Sequence, residues 1–65
     1  MTVEIKGLGT ITASEDALNL LSILASEASN GFKKRGREML SEEAKEIAYE
    51  IYEELASIGF YEGVV

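Results

Sequence analysis

The stretch from Ser41 to Phe60, SEEAKEIAYEIYEELASIGF, leaves the chain fewer folding options than any other segment. Ala44, Ala48, Ile51, Leu55 and Ile58 recur at alternating intervals of four and three, with Ile47 beside them, which is the stripe an α-helix presents to a core. Ser41 is a suitable N-cap, since its hydroxyl can accept a hydrogen bond from a free amide of the first turn, and Glu42 and Glu43 sit where the helix dipole favours anions. Gly59 suits the left-handed closure of the helix, and Phe60 then falls where a Schellman motif returns it against Leu55. Glu42, Glu43, Glu46, Glu50, Glu53 and Glu54 gather opposite the apolar stripe, with Tyr49, Tyr52 and Ala56 along one border. The second helix is predicted over residues 41–58.

A chain of 65 residues forms one small domain, and at this size only about 60% of the unfolded surface is buried on folding. Disulfides or a metal commonly supplement so small a core, but the sequence contains neither Cys nor His. Self-association is the remaining source of burial, so an oligomer is expected. No apolar run reaches the length of a membrane span, and the N-terminus does not resemble a signal peptide, which gives a soluble, cytoplasmic protein as the expectation.

Residues 2–12, TVEIKGLGTIT, alternate β-branched side chains and carry glycines at 7 and 9, the pattern of a hairpin turning through Gly7, Leu8 and Gly9. Val3 and Ile5 should share a face, with Ile11 opposite Ile5. The GxG triplet lacks the third glycine and the directly following helix of a dinucleotide fingerprint, so it reads as turn chemistry.

Thr12 and Glu15 have capping-box spacing and Ser14 offers an alternative cap, placing the start of a first helix at residues 13–15. Ala17, Leu18, Leu20, Leu21, Leu24, Ala25, Ala28 and Phe32 cover nearly half its wheel, more than one partner helix would cover, and Ile23 projects beyond them. Leu18, Leu20, Ile23 and Leu24 are accordingly the candidate oligomer interface. The helix ends either at Asn30, before Gly31, or near Arg35, before Gly36. The later end is preferred, because it sets Lys33 and Lys34 in the last turn, where the dipole favours cations, and shortens the connection. An interior Gly31 costs only about 1 kcal/mol relative to Ala. Residues 60–65 are read as a tail or a short third strand.

The net charge is −6, yet Lys33, Lys34, Arg35 and Arg37 supply four of the six cations. The rest of the chain sets twelve acids against Lys6 and Lys45, a net of −10, a surface that repels nucleic acid and anionic membranes and attracts basic partners. The basic cluster is a candidate anion site, with the arginines making forked contacts and the lysines acting as point charges. It is equally a helix terminus balanced by its dipole and by Glu27, Glu38 and Glu42. No aromatic platform or docking helix accompanies it, so direct nucleic-acid binding is not expected.

Without His or Cys, and with its carboxylates on a solvated helix face, the chain offers little to proton transfer or nucleophilic attack. Neighbours among Glu42, Glu46, Glu50 and Glu53 are spaced to share a divalent cation, but no inward EXXH pair supports a carboxylate metal site. A non-enzyme without cofactor or metal is expected.

In general style the chain resembles the small acidic proteins of phages and other mobile elements: a hairpin followed by two helices ending in a motif such as GFYE. The resemblance implies a protein that binds, blocks or sequesters a host component, including components of defence systems. The expectation is therefore an α+β domain in which an antiparallel helical hairpin, residues 14–35 and 41–58, carries a short N-terminal β-hairpin and assembles into an oligomer. It is expected to inhibit or regulate a larger protein with a basic surface, through Glu46, Tyr49, Glu50, Tyr52 and Glu53. Two alternatives stand beside this reading. One is an oligomeric sponge or sensor that gathers Lys33, Lys34, Arg35 and Arg37 around an anionic molecule such as a signalling nucleotide; the other is a structural component of a larger particle.

Overall fold

Alternating β-branched residues at the N-terminus form a two-stranded antiparallel hairpin, β1 (Thr2–Ile5) and β2 (Gly9–Thr12), followed by two helices, α1 (Glu15–Lys34) and α2 (Glu38–Ser57). The computed structural model describes residues 1–62. The α+β architecture expected from the sequence is present. The helices pack side by side and run antiparallel: Ser29 meets Ser41 near one end, and Asn19 meets Tyr61 near the other.

The hairpin turns one residue earlier than its glycines suggest. Leu8 N donates to Ile5 O at 3.0 Å, and the register pairs Val3 with Ile11 and Ile5 with Gly9, so Ile11 lies opposite Val3 and not Ile5. Because that difference is two residues along β2, facing is unchanged, and Ile11 still shares the inner side with Val3 and Ile5. Reciprocal bonds between Met1 and Ala13, both 3.0 Å, extend the ladder to the start of α1.

Both helices stop in the same way, and at both the sequence signals it. After α1, Gly36 adopts φ 73°, Gly36 N donates to Lys33 O, and Arg37 N donates to Phe32 O. After α2, Gly59 adopts φ 78°, with Gly59 N donating to Ala56 O and Phe60 N to Leu55 O. These are Schellman closures, which use the left-handed region open to glycine to satisfy terminal carbonyls. Of the two ends considered for α1 the later one is adopted, and Gly31 is interior.

The starts differ. Ser14 caps α1 by accepting from Ala17 N at 3.1 Å. α2 begins at Glu38 after Arg37, whose side chain makes no capping bond. Ser41 is therefore not the N-cap expected of it. The Gly36 closure reverses the chain so sharply that the helix starts at once, and Ser41 is left inside it, facing α1.

Val3, Ile5, Leu18, Ile51 and Leu55 form the buried core, with Met1, Ile11, Ala13, Ile47, Phe60 and Tyr61 packed around it. Phe60 reaches this cluster beside Leu55, as the Schellman spacing implies. Ala48 is also buried, whereas Ile58 is the C-cap of α2 and stands 51% exposed, outside the seam the sequence placed it in.

α1 departs furthest from expectation. Its buried residues are Leu18, Ser22 and Ser29, with Ala25 and Phe32 half-buried on the same face. Ser29 Oγ donates to Ser41 O at 2.8 Å, and Ser41 Oγ donates to Ser29 O at 2.9 Å. Ser22 Oγ donates to Asn19 O at 2.7 Å. Small side chains let the helices approach closely, and these bonds satisfy the hydroxyls that burial would otherwise penalise. β1 packs on α2. The leucine side of α1 is thus turned away from α2, and Leu20, Leu21 and Leu24 are exposed.

Of the tail, Phe60, Tyr61 and Glu62 lie in turns and not in a strand; residues 63–65 are outside the described residues. No helix among the described residues is long and apolar enough to cross a membrane.

Candidate functional site

Seen from α2, the acidic face divides in two. Glu43 and Glu50 lie toward the hairpin: Glu50 is half-buried and its Oε2 accepts from Lys6 N at 3.0 Å. Glu43 Oε1 lies beside Gly7, 3.3 Å from the point where a side chain there would begin. Glu50 anchors the turn and Glu43 flanks it. Glu46 and Glu53 are exposed on the outer strip, with Tyr49 adjoining them on the wheel. Of the five residues proposed from sequence as a protein-binding set, Glu46, Tyr49, Tyr52 and Glu53 are thus on open surface, while Glu50 already serves the fold.

Tyr49 and Tyr52, 60% and 50% exposed, line a groove of about 570 Å³ along the helix seam, on the flank away from the β-hairpin. Asn19, Ile23 and Ser26 form its other wall. The far end is closed by Tyr61, whose hydroxyl donates to Asn19 Oδ1 at 2.8 Å and whose ring lies 5.0 Å from that of Tyr52. Phe60 meets the Tyr61 ring edge-on at 5.1 Å and ties it to the core. One tyrosine is therefore fixed and two are free at their outer edges. Tyr61 was missed as a groove residue in the sequence. Its signal was the Schellman spacing, which returns the chain after Gly59 toward the start of α1.

The groove continues along the seam into a second hollow, sharing Ser26, Lys45 and Ala48 with it and adding Ser29, Asn30 and Lys33. Glu38 and Glu42 line this end too, so its charge is mixed. The basic run does not converge. Lys33 is exposed and lines the seam hollow together with Lys45. Lys34 lies about 100° from Lys33 on the wheel, toward the outer back of α1, the Arg35 guanidinium sits over the Phe32 ring at 5.1 Å, and Arg37 occupies the N-cap of α2. Lys45, one helix away in sequence, could not be read as part of an anion site from a local charge run.

The proposed interface set on α1 is also dispersed. Leu18 is 1% exposed and belongs to the monomer core. Ile23 faces the tyrosine groove. Leu20 and Leu24, 57% and 52% exposed, lie on the flank turned away from that groove, next to Leu21. Among the described residues no group of three or more acidic side chains is gathered as a metal site.

No family model, curated protein or solved structure matches this chain. Its functional reading therefore rests on its own surfaces.

Proposed function

We propose that this protein is a non-enzymatic binding protein that engages a larger protein through the outer strip of α2 and acts as its inhibitor or regulator. The observation that carries this reading is the pairing of two exposed tyrosine rings at an apolar groove with the exposed carboxylates of Glu46 and Glu53. Rigid aromatic surface supplies contact area at small entropic cost, and flanking charge sets orientation and rate of encounter. The complementary partner carries an apolar side chain for the groove, bordered by Lys or Arg for the two glutamates. Self-association through the exposed leucines of α1 leaves this strip free, so an oligomer presents it more than once.

The test begins with partner capture from the native host, identification by mass spectrometry and reconstitution of the binary complex. Glu46→Lys with Glu53→Lys is expected to abolish binding in calorimetry while the circular dichroism spectrum is unchanged; undiminished binding overturns the reading. Tyr49→Ala is expected to weaken the same complex by at least tenfold, about the 1.4 kcal/mol that separates a contact residue from a bystander.

A second reading, a sponge for an anionic small molecule, is favoured by one observation: Lys33 and Lys45 share a continuous cleft with the tyrosines. An aromatic heterocycle would stack at the tyrosine end and its phosphate would meet the lysines. Thermal shift against a panel of nucleotides, repeated with Lys45→Ala, decides it: a shift lost in the variant supports the sponge, and no shift with any nucleotide eliminates it.

A further inference from the structure

The outer flank of α1 is apolar along its whole length. Ala17, Leu20, Leu21, Leu24 and Ala28 are exposed, and Gly31 completes the stripe at the spacing of a helix face. No charged side chain interrupts it on the wheel between Ala17 and Gly31; beyond Gly31 the Arg35 guanidinium lies over Phe32 and closes that end. The charged residues along its outer border are Asp16, Glu27 and Lys34, while the other border runs into Ala25 and Phe32 of the same chain. Gly31 is noteworthy within it. A side chain built there would meet only Arg35 Nη2, at 3.9 Å, so nothing inside the chain requires a glycine in the middle of this helix.

We propose that a second copy of this chain docks antiparallel on α1, with the two-fold axis passing at Leu24. Only in that direction do the charges beside the stripe find partners. With Leu24 facing its own copy, Leu20 falls opposite Ala28 of the other chain, large against small, and Ala17 falls opposite Gly31, where two small residues admit close approach of the backbones. The charges on the border agree. Antiparallel pairing keeps the charged borders of the two chains on the same side and sets Asp16 of each beside Lys34 of the other, twice by symmetry, whereas parallel pairing turns the two borders to opposite sides and forms no such pairs. Glu27 then falls opposite residues 21–23, where there is no second acid. The helix dipoles also oppose each other.

This gives the self-association proposed above a face and a register, and it is tested without reference to the external partner. Sedimentation equilibrium of the full chain is expected to give twice the 7.1 kDa chain mass; a monomer at every accessible concentration overturns the inference. Leu24→Glu is expected to yield a folded monomer, because the side chain is half exposed in the single chain and lies outside the core cluster. Gly31→Leu separates association from helix stability, since it raises helix propensity, meets within the chain only the end of the Arg35 side chain, and obstructs the second copy. It is expected to be at least as helical as the parent and monomeric; a Gly31→Leu dimer overturns the register. The chain has no native cysteine, so Ala17→Cys and Gly31→Cys report geometry directly. Mixed together they are expected to form a disulfide-linked heterodimer and neither alone a homodimer; homodimers of each, without the heterodimer, indicate parallel pairing and overturn the proposal. A monomeric Leu24→Glu chain that still binds the external partner leaves the α2 reading standing, and a dimer that captures nothing leaves this one standing.

Discussion

α1 and α2 are each 20 residues long, end in the same glycine closure and lie against one another, yet they use their apolar residues in opposite ways. α2 turns Ile51 and Leu55 inward, where both are completely buried, and shows solvent its acids and tyrosines. α1 turns Leu18 and two serines inward and shows solvent its leucines. The difference teaches that hydrophobicity does not by itself select the face a helix buries. Close approach to α2 is achieved by serine hydroxyls that find partners, and β1 rests on α2. One helix consequently holds the monomer together, and the other has its strongest apolar surface to spare.

The largest effect expected from this contrast comes from truncating each helix once. Ile51→Ala is expected to destabilise the fold by about 2–5 kcal/mol through lost burial and a cavity. Leu24→Ala, measured at concentrations where the chain is monomeric, is expected to stay within about 0.5 kcal/mol of the parent. Urea denaturation of both variants checks the pair, and a Leu24 effect approaching that of Ile51 would erase the distinction between the helices.

Ser41→Ala follows. It removes the hydroxyl that serves the Ser29 carbonyl and leaves part of a buried polar pair without its partner, an expected loss of about 1–3 kcal/mol. Adding Ser29→Ala should cost less than the sum of the two single changes, because the contact between the two hydroxyls, 3.0 Å apart, is lost in either single variant and can be lost only once. Additive losses in the double-mutant cycle would mean that the serines act separately and that the seam is not a coupled polar contact.

Smaller still are the helix starts. Ser14→Ala is expected to cost about 1 kcal/mol, the usual value of an N-cap. Arg37→Asp, which offers α2 the cap it lacks and an anion at its positive end, is expected to gain a few tenths of a kcal/mol. Thermal melts of the two variants should therefore move in opposite directions.

Punctuation was the legible part of the sequence. Ser14, Gly36 and Gly59 act on amides and carbonyls within a few residues of themselves, so their roles follow from local chemistry, and the alternation of Val3 and Ile5 fixed which side of the hairpin is inner. Ser41 carried an equally local signal that was overruled, since a chain already reversed at Gly36 has no need to wait for a cap. The burial of Ser22 and Ser29 was illegible for a different reason: a buried hydroxyl is acceptable only with a partner, and for Ser29 that partner lies on another helix. Of the candidate binding residues, Tyr49 and Tyr52 followed from periodicity alone. Glu50 was claimed by the turn at Lys6, and Lys33 shares a hollow with Lys45, both through the packing of elements distant in sequence.

The reciprocal bonds between Ser29 and Ser41 also make the helical hairpin a ruler. Sliding α1 along α2 by one turn, about 5.4 Å, would strand both hydroxyls and the carbonyls they serve, so only one alignment is polar-satisfied. The spacing between the leucines on the far side of α1 and the tyrosines of α2 is thereby held constant. Whatever gathers on one of these faces meets the other at a fixed distance, a dimension set by two of the smallest side chains in the protein.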